Sequence, residues 1–354
     1  MKTRLRILNL IDIPWHSGLA AYAFDQAGAL KARGHAVYFA CPPESAAWEF
    51  AKRENIPAFP LPDRKAPFIS LPFRALKRFI DREKITAINA HTGRAQSLAF
   101  ILSLISAETP QIIRTKADAA PPSKSFSLAR VSAIVAASDF IRQRYLKLGL
   151  SPQKVRLAAQ AIDTPLTPLR TPEPPYKIGV LGRLDPVKGH DSFFKAASRL
   201  LERGTKAEFH VAGYEANIKY ADLKAMSARL GLADAVIFHG RVADSLEFMA
   251  SCDIGVIPSL GSEAVSRAAL EWLAAGKPLV ASSAGSLPEF AGPEYLFTPG
   301  DDAALASKLE ALLEEPGQLT KIGASNRERA ARQFSRQIFS EATGDIFENT
   351  AGGR

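Results

Sequence analysis

After the apolar run Lys177–Leu181 the chain reads Gly182-Arg183-Leu184-Asp185-Pro186-Val187-Lys188-Gly189, a glycine-bounded segment carrying two cations. A strand that runs into such a loop and on into a helix sets Arg183 and Lys188 beside open backbone N–H groups, an arrangement suited to a phosphate. Two solvated loop cations would give the same letters. Further along, after Ile254–Pro258, Glu263 and Glu271 stand in an E-x7-E spacing. On one helix, eight residues turn through about 800°, which leaves the carboxylates within about 80° of each other. Glu263 then falls in the loop or at the helix N-cap, with Glu271 about two turns inside. The N–H groups of Ala264–Arg267 lie open between them for a phosphate or a sugar hydroxyl. An acidic first turn and a surface Glu271 fit equally well, so spacing alone does not choose.

The elements that must hold these residues are legible as an alternation of short β-branched runs with helical patterns, the mark of βαβ units and parallel sheets. Strands are predicted at Leu5–Ile13, Ala36–Cys41, Ile85–His91, Gln111–Thr115, Ala133–Ala137 and Val155–Ala158. A helix is predicted over Ala20–Arg33 with Gly34 closing it. The stretch Thr164–Pro175 carries Pro165, Pro168, Pro172, Pro174 and Pro175, which blocks helix and reads as an extended linker. Beyond it the alternation restarts with Lys177–Leu181, Glu208–Ala212, Val236–His239, Ile254–Pro258 and Pro278–Ala281. The expected plan is an α/β chain of two Rossmann-like lobes facing across a cleft at their strand ends. The lobes would cover residues 1–164 and 176–332, with the linker at 165–175. Residues 333–354 are expected to form a helix and tail that pack back toward the first lobe.

Composition bounds what such a chain can be. It has 354 residues, 47% hydrophobic and 23% charged, enough for two domains that each bury a core. Cys41 and Cys252 lie far apart in apolar runs, which favours a reducing, cytoplasmic setting over a disulfide framework. Lys2, Arg4 and Arg6 precede an apolar run, yet Asn9 and Asp12 interrupt it, so it reads as a strand rather than a signal peptide. No run reaches the roughly 18 apolar residues of a membrane span. The net charge is +9, and part of the excess lies between Arg64 and Lys84, interleaved with Phe68, Ile69, Leu71, Phe73, Leu76, Phe79 and Ile80. Such a stretch suits either an anionic membrane surface or a helix packing its stripe onto its own domain. No nucleic-acid-reading motif accompanies the charge.

The loop Gly182–Gly189, the Glu263/Glu271 pair and the following Ala274-Ala275-Gly276-Lys277-Pro278-Leu279-Val280-Ala281 together resemble retaining GT-B glycosyltransferases of family 4. Phe238-His239-Gly240-Arg241-Val242, Ala212-Gly213, and Gly285 with Pro288-Glu289 fit the same plan. The resemblance covers Tyr176–Glu315 in the family's order. It extends more loosely over the first lobe through Ser17-Gly18, Arg33-Gly34-His35, His91 and Ala136-Ala137-Ser138. The wording from Ser262 to Arg267 looks nearest to bacterial lipopolysaccharide and surface-polysaccharide transferases. By that resemblance the donor is a nucleotide sugar, UDP-linked by expectation, and the acceptor a glycan or lipid-linked glycan.

Residue by residue, the resemblance implies that Arg183 and Lys188 neutralise the donor diphosphate without a metal or other cofactor. It implies that Glu263 contacts the transferred sugar and Glu271 the ribose hydroxyls. Gly182, Gly213, Arg241, Val242, Ala264, Val265 and Ser266 would line the nucleotide site. Gly18 would approach the phosphate closely, and His91 would sit near the sugar. Ser17-Gly18 and Ala264-Val265-Ser266 depart from the family's adjacent glycines and Gly-Phe-Gly run. Arg114 and Lys116 suit either an acceptor site or a salt bridge. The same architecture also serves nucleotide-sugar 2-epimerases and two-lobed binding modules.

Overall fold

The computed structural model describes residues 4–61, 71–165, 168 and 170–351. It divides into two compact units, one of Met1–Ala161 with Arg336–Arg354, the other of Ile162–Ser335. The first unit is built on a parallel sheet of β1 (Arg6–Leu10), β2 (Ala36–Cys41), β3 (Ala58–Pro60), β4 (Ala87–Ala90), β5 (Gln111–Lys116), β6 (Val131–Ala136) and β7 (Val155–Leu157). Its order is β3-β2-β1-β4-β5-β6-β7. Between these strands run α1 (Gly18–Ala32), α2 (Ala46–Arg53), α3 (Leu71–Arg82), α4 (Gly93–Ile105) and α5 (Asp139–Lys147). The second unit repeats the plan with β8 (Tyr176–Leu181), β9 (Ala207–Ala212), β10 (Val236–Gly240), β11 (Ile254–Ile257), β12 (Leu279–Ser282) and β13 (Leu296–Phe297), in the order β10-β9-β8-β11-β12-β13. Its helices are α6 (His190–Glu202), α7 (Tyr220–Arg229), α8 (Ser245–Ser251), α9 (Arg267–Ala274), α10 (Asp302–Glu314) and α11 (Pro316–Gln333); α12 (Arg336–Ala351) returns to the first unit. Both sheets, with helices between successive parallel strands, are Rossmann-like, as the alternation predicts.

Local chemistry sets the element ends. Ser17 Oγ accepts from the Ala20 N–H at 3.2 Å, so α1 begins at Gly18, two residues earlier than periodicity alone suggests. Gly34 closes it at φ +88°, a left-handed position that favours glycine. The unpredicted β3 and β13 are three and two residues long, too short to show a period. In the second unit Phe193, Phe194, Phe209, Leu200 and Val256 form the centre of the core.

α12 docks on α1. Phe339 meets Tyr22 edge-on at 5.4 Å between centroids, and Arg33 pairs with Glu348 at 2.8 Å. Helix α3 decides part of the basic stretch: Phe73, Leu76, Phe79 and Ile80 are buried, so the apolar stripe packs on its own unit. Arg74, Arg78 and Lys84 remain exposed, while Lys77 bonds Asp81 at 2.5 Å. Arg64, Lys65, Phe68 and Ile69 lie outside the described residues. Among the described residues no helix is long and apolar enough to cross a membrane.

Candidate active site

In the second sheet the chain builds outward in one direction through β9 and β10, then crosses back to place β11 on the other side of β8. Loops leaving the carboxyl ends of these neighbouring strands meet at that switch point, the usual ligand position of open parallel sheets. The two motifs singled out by sequence are these loops. The Leu260 N–H donates to the Val187 carbonyl at 2.7 Å. Gly189, at φ +73°, passes so near the other loop that a Cβ would stand 1.9 Å from the Pro258 carbonyl oxygen. Only glycine allows this crossing.

Lys188 Nζ donates to Glu263 Oε1 at 2.5 Å, and Ser259 Oγ donates to the same oxygen at 2.6 Å. Glu263 is 4% exposed, so its charge is held by these two donors rather than by water. Its backbone is fixed as well, because the Ser286 N–H donates to the Glu263 carbonyl at 2.6 Å. Asp185, which the sequence reading passed over, holds the first loop: it accepts from the Val187 N–H at 3.0 Å and Asn217 Nδ2 at 2.7 Å. The Val187 bond foremost, then Asn217 and the nearby cations, keep its carboxyl below the usual carboxylate range. An Asp directly before a proline turn was the available signal. Arg183 reaches Asp185 at 3.4 Å and stays 44% exposed, free to meet a ligand. Beside them burial, then the charge of Lys188, pushes His190 down to about 4.

Glu263 takes one of the two places expected for it, whereas Glu271 lies about one turn into α9 rather than two. The helix begins at Arg267 with Ser266 as N-cap, so Glu263 lies in the loop and the 80° argument does not apply. The first-turn N–H groups without an intrahelical partner therefore belong to Arg267, Ala268 and Ala269, not to Ala264, Val265 and Ser266. Glu271 sits inside the helix, 7% exposed, with Arg267 Nε donating to its Oε1 at 2.9 Å. The helix lies close on the sheet because Trp272 packs where Gly179 and Gly255 have no side chains.

Gly182 follows β8 directly and Gly213 follows β9. Gly213, at φ +155°, comes so near the Gly182 carbonyl that a Cβ would stand 1.8 Å away, a sufficient reason for glycine there. Gly213 N–H donates to the Gly240 carbonyl at 2.8 Å, which lines up the ends of β8, β9 and β10. Arg241, exposed, and Val242, half-buried, follow β10 directly.

Gly18 and His91 belong to the first unit. Gly18 is the first residue of α1, and a Cβ there would meet nothing within 4 Å. His91 follows β4 and is wholly buried. Thr92 Oγ1 donates to Asp12 Oδ1 at 2.5 Å, joining the loops after β4 and β1 as their counterparts are joined in the second unit. Arg114 and Lys116 are both engaged: Arg114 donates to the Ala90 carbonyl at 2.9 Å and Lys116 bonds Asp118. Burial lowers the pKa of each. Among the described residues no group of three or more His, Cys, Asp or Glu side chains could hold a metal ion.

Known proteins share this plan. The model of Glycosyltransferase Family 4 matches residues 16–165, and that of Glycosyl transferases group 1 matches 175–315. The MMP alpha-(1->4)-mannosyltransferase of Mycolicibacterium hassiacum is 32% identical over 207 residues, which is 56% of this chain and 49% of that one. The chain thus spans about half the length of the curated relatives it matches. Anabaena HepE in complex with UDP superposes with a TM-score of 0.84 at 19% identity, covering 98% of this chain and 100% of its own. The lipopolysaccharide outer core galactosyltransferase WaaB, in its apo form, superposes at 0.78 with 15% identity over 97% and 99%. The chain belongs to the GT-B glycosyltransferases, with a Glycosyltransferase Family 4 domain in its first half and a Glycosyl transferases group 1 domain in its second.

Proposed function

We propose that the chain is a retaining, metal-independent glycosyltransferase that moves a hexose-type sugar from a UDP-sugar to a glycan or glycolipid acceptor. Its setting would be lipopolysaccharide or surface-polysaccharide synthesis at the cytoplasmic face of the membrane. The observation that carries the reading is the Lys188–Glu263 pair at the switch point of the second sheet, with Arg183 exposed beside it. The UDP bound to HepE and the lipopolysaccharide role of WaaB support the choice of base and pathway.

Departure of the diphosphate is the demanding step, because charge gathers on its oxygens as the anomeric bond breaks. Arg183, Lys188 and the open N–H groups of Arg267, Ala268 and Ala269 stabilise that charge. Glu263 contacts the transferred sugar, Glu271 takes the ribose hydroxyls, and Arg241 and Val242 border the base. Gly182 and Gly213 border the phosphate, and for Gly18 and His91 of the first unit we propose the roles that the resemblance implies. The departing phosphate oxygen takes the acceptor's proton on the same face, which gives retention without a strong base.

A donor panel with mass-spectrometric product detection, run with and without excess EDTA, tests this. A hexosylated product from a UDP-sugar, with unchanged anomeric configuration and full turnover in EDTA, is expected. Nucleotide binding without product, inversion, or a loss restored by Mg²⁺ would each overturn the part concerned.

A further inference from the structure

The turn that follows β9 is tied down on both flanks. Gly213 N–H donates to the Gly240 carbonyl at the end of β10, and the Leu184 N–H donates to the Tyr214 carbonyl, both at 2.8 Å. The Asn217 and Ile218 N–H groups return to the Leu184 carbonyl at 3.0 Å each. Leu184 stands between Arg183 and Asp185, so the turn is bonded directly to the loop that carries the two cations. Helix α7 fixes it from a third side: the Tyr220 hydroxyl donates to the Gly213 carbonyl at 3.2 Å, and the Tyr220 N–H donates to Glu215 Oε1 at 2.9 Å.

Tyr214, inside this turn, is fixed in its backbone and uncommitted in its side chain. The ring is 54% exposed and makes no hydrogen bond, ring contact or ion pair among the described residues. The main chain here is already ordered, and a tyrosine has only two side-chain torsions to lose. A ligand that covers the ring therefore meets a rigid apolar face at little entropic cost. Position says what kind of ligand. The cations of the Arg183 loop lie on one flank of the turn, and Arg241 and Val242, directly after β10, on the other. Glu215, the next residue, is a carboxylate paired with Lys219 at 3.1 Å, so this place suits a neutral planar group and disfavours a further phosphate.

We propose that Tyr214 is the face on which the base of the donor nucleotide stacks, while Arg183 and Lys188 hold its diphosphate. The assignment deepens the proposed function and rests on it. Stacking needs only a π face, which every base has, so Tyr214 contributes affinity for a nucleoside diphosphate without choosing among bases.

Titration calorimetry of the full chain with UDP, GDP and ADP tests the assignment, with inorganic pyrophosphate, read by its displacement of the bound nucleotide, as the same ligand without a base. The nucleotide that the wild-type chain binds should lose about tenfold in affinity with Tyr214→Ala, the scale of one base–aromatic stack. Tyr214→Phe keeps the ring and should stay within about twofold of wild type. Pyrophosphate should bind all three chains alike. Thermal midpoints, expected to be equal because the ring packs on nothing, separate a lost stack from misfolding. Unchanged nucleotide affinity in Tyr214→Ala, equal weakening toward pyrophosphate, or a tenfold loss in Tyr214→Phe would each overturn the stack. Any of these in a chain that transfers sugar leaves the glycosyltransferase reading standing. The expected pattern in a chain that forms no product keeps the stack and overturns that reading instead, and a wild-type chain that binds no nucleotide overturns both.

Discussion

Lys188 bonds the buried Glu263, and under the proposed function it is also needed at the donor diphosphate. Glu263 is buried, so the lysine also matters for folding. Lys188→Ala leaves the carboxylate with Ser259 as its remaining side-chain donor. The expected loss is about 1–3 kcal/mol of stability, the cost of an undersatisfied buried charge, together with at least a tenfold loss of turnover. Adding Glu263→Gln to that variant removes the stranded charge, so thermal midpoint should recover while turnover does not. If the double variant melts no higher than the single one, the pair does not stabilise the loop.

Helix α9 owes its position to a missing side chain. Trp272 is fully buried, and a Cβ on Gly255 would stand 2.3 Å from its ring, with Gly179 on the neighbouring strand almost as tight. Glu271 is the residue before Trp272, so whatever lifts the ring moves that carboxylate and the open N–H groups at the helix start. Gly255→Ala should therefore destabilise the second unit by about 1–3 kcal/mol through overpacking. UDP affinity should weaken with it. Urea unfolding and calorimetric titration measure the two effects; unchanged values for both would show that the helix does not depend on this contact.

At the scale of the molecule, a net charge of +9 sets how the chain meets charged surfaces. The stripe of α3 is buried, so attraction of this region to an anionic membrane rests on charge, including Arg74, Arg78 and Lys84, and not on insertion of Phe73 or Phe79. Each such cation contributes about 1 kcal/mol close to an anionic surface and is screened by salt. Binding to anionic but not zwitterionic vesicles is expected in sedimentation assays, lost at high salt and weakened by Arg74→Glu with Arg78→Glu. Equal partitioning to both vesicle types, or none at low salt, would reduce α3 to an ordinary surface helix.

The sequence by itself determined the two α/β halves, most strand positions, the first helix to within two residues of its start, and the identity of the two segments that carry Arg183, Lys188, Glu263 and Glu271. These follow from signals a few residues long: hydrophobic period, caps, glycine and proline. It also placed a last helix returning to the first unit, but it did not determine that α9 begins only at Arg267, that Asp185 anchors the first loop, or that the stripe of α3 faces inward. Nor could it place Lys188 on Glu263, 75 residues away, or bring Asn89 and His91 to Asn9, 80 and 82 residues away. Those contacts exist because β11 crosses back to lie against β8 and β4 against β1. Strand order is decided by which faces the crossover helices can bury together, a property of the packed chain that no local run of residues contains.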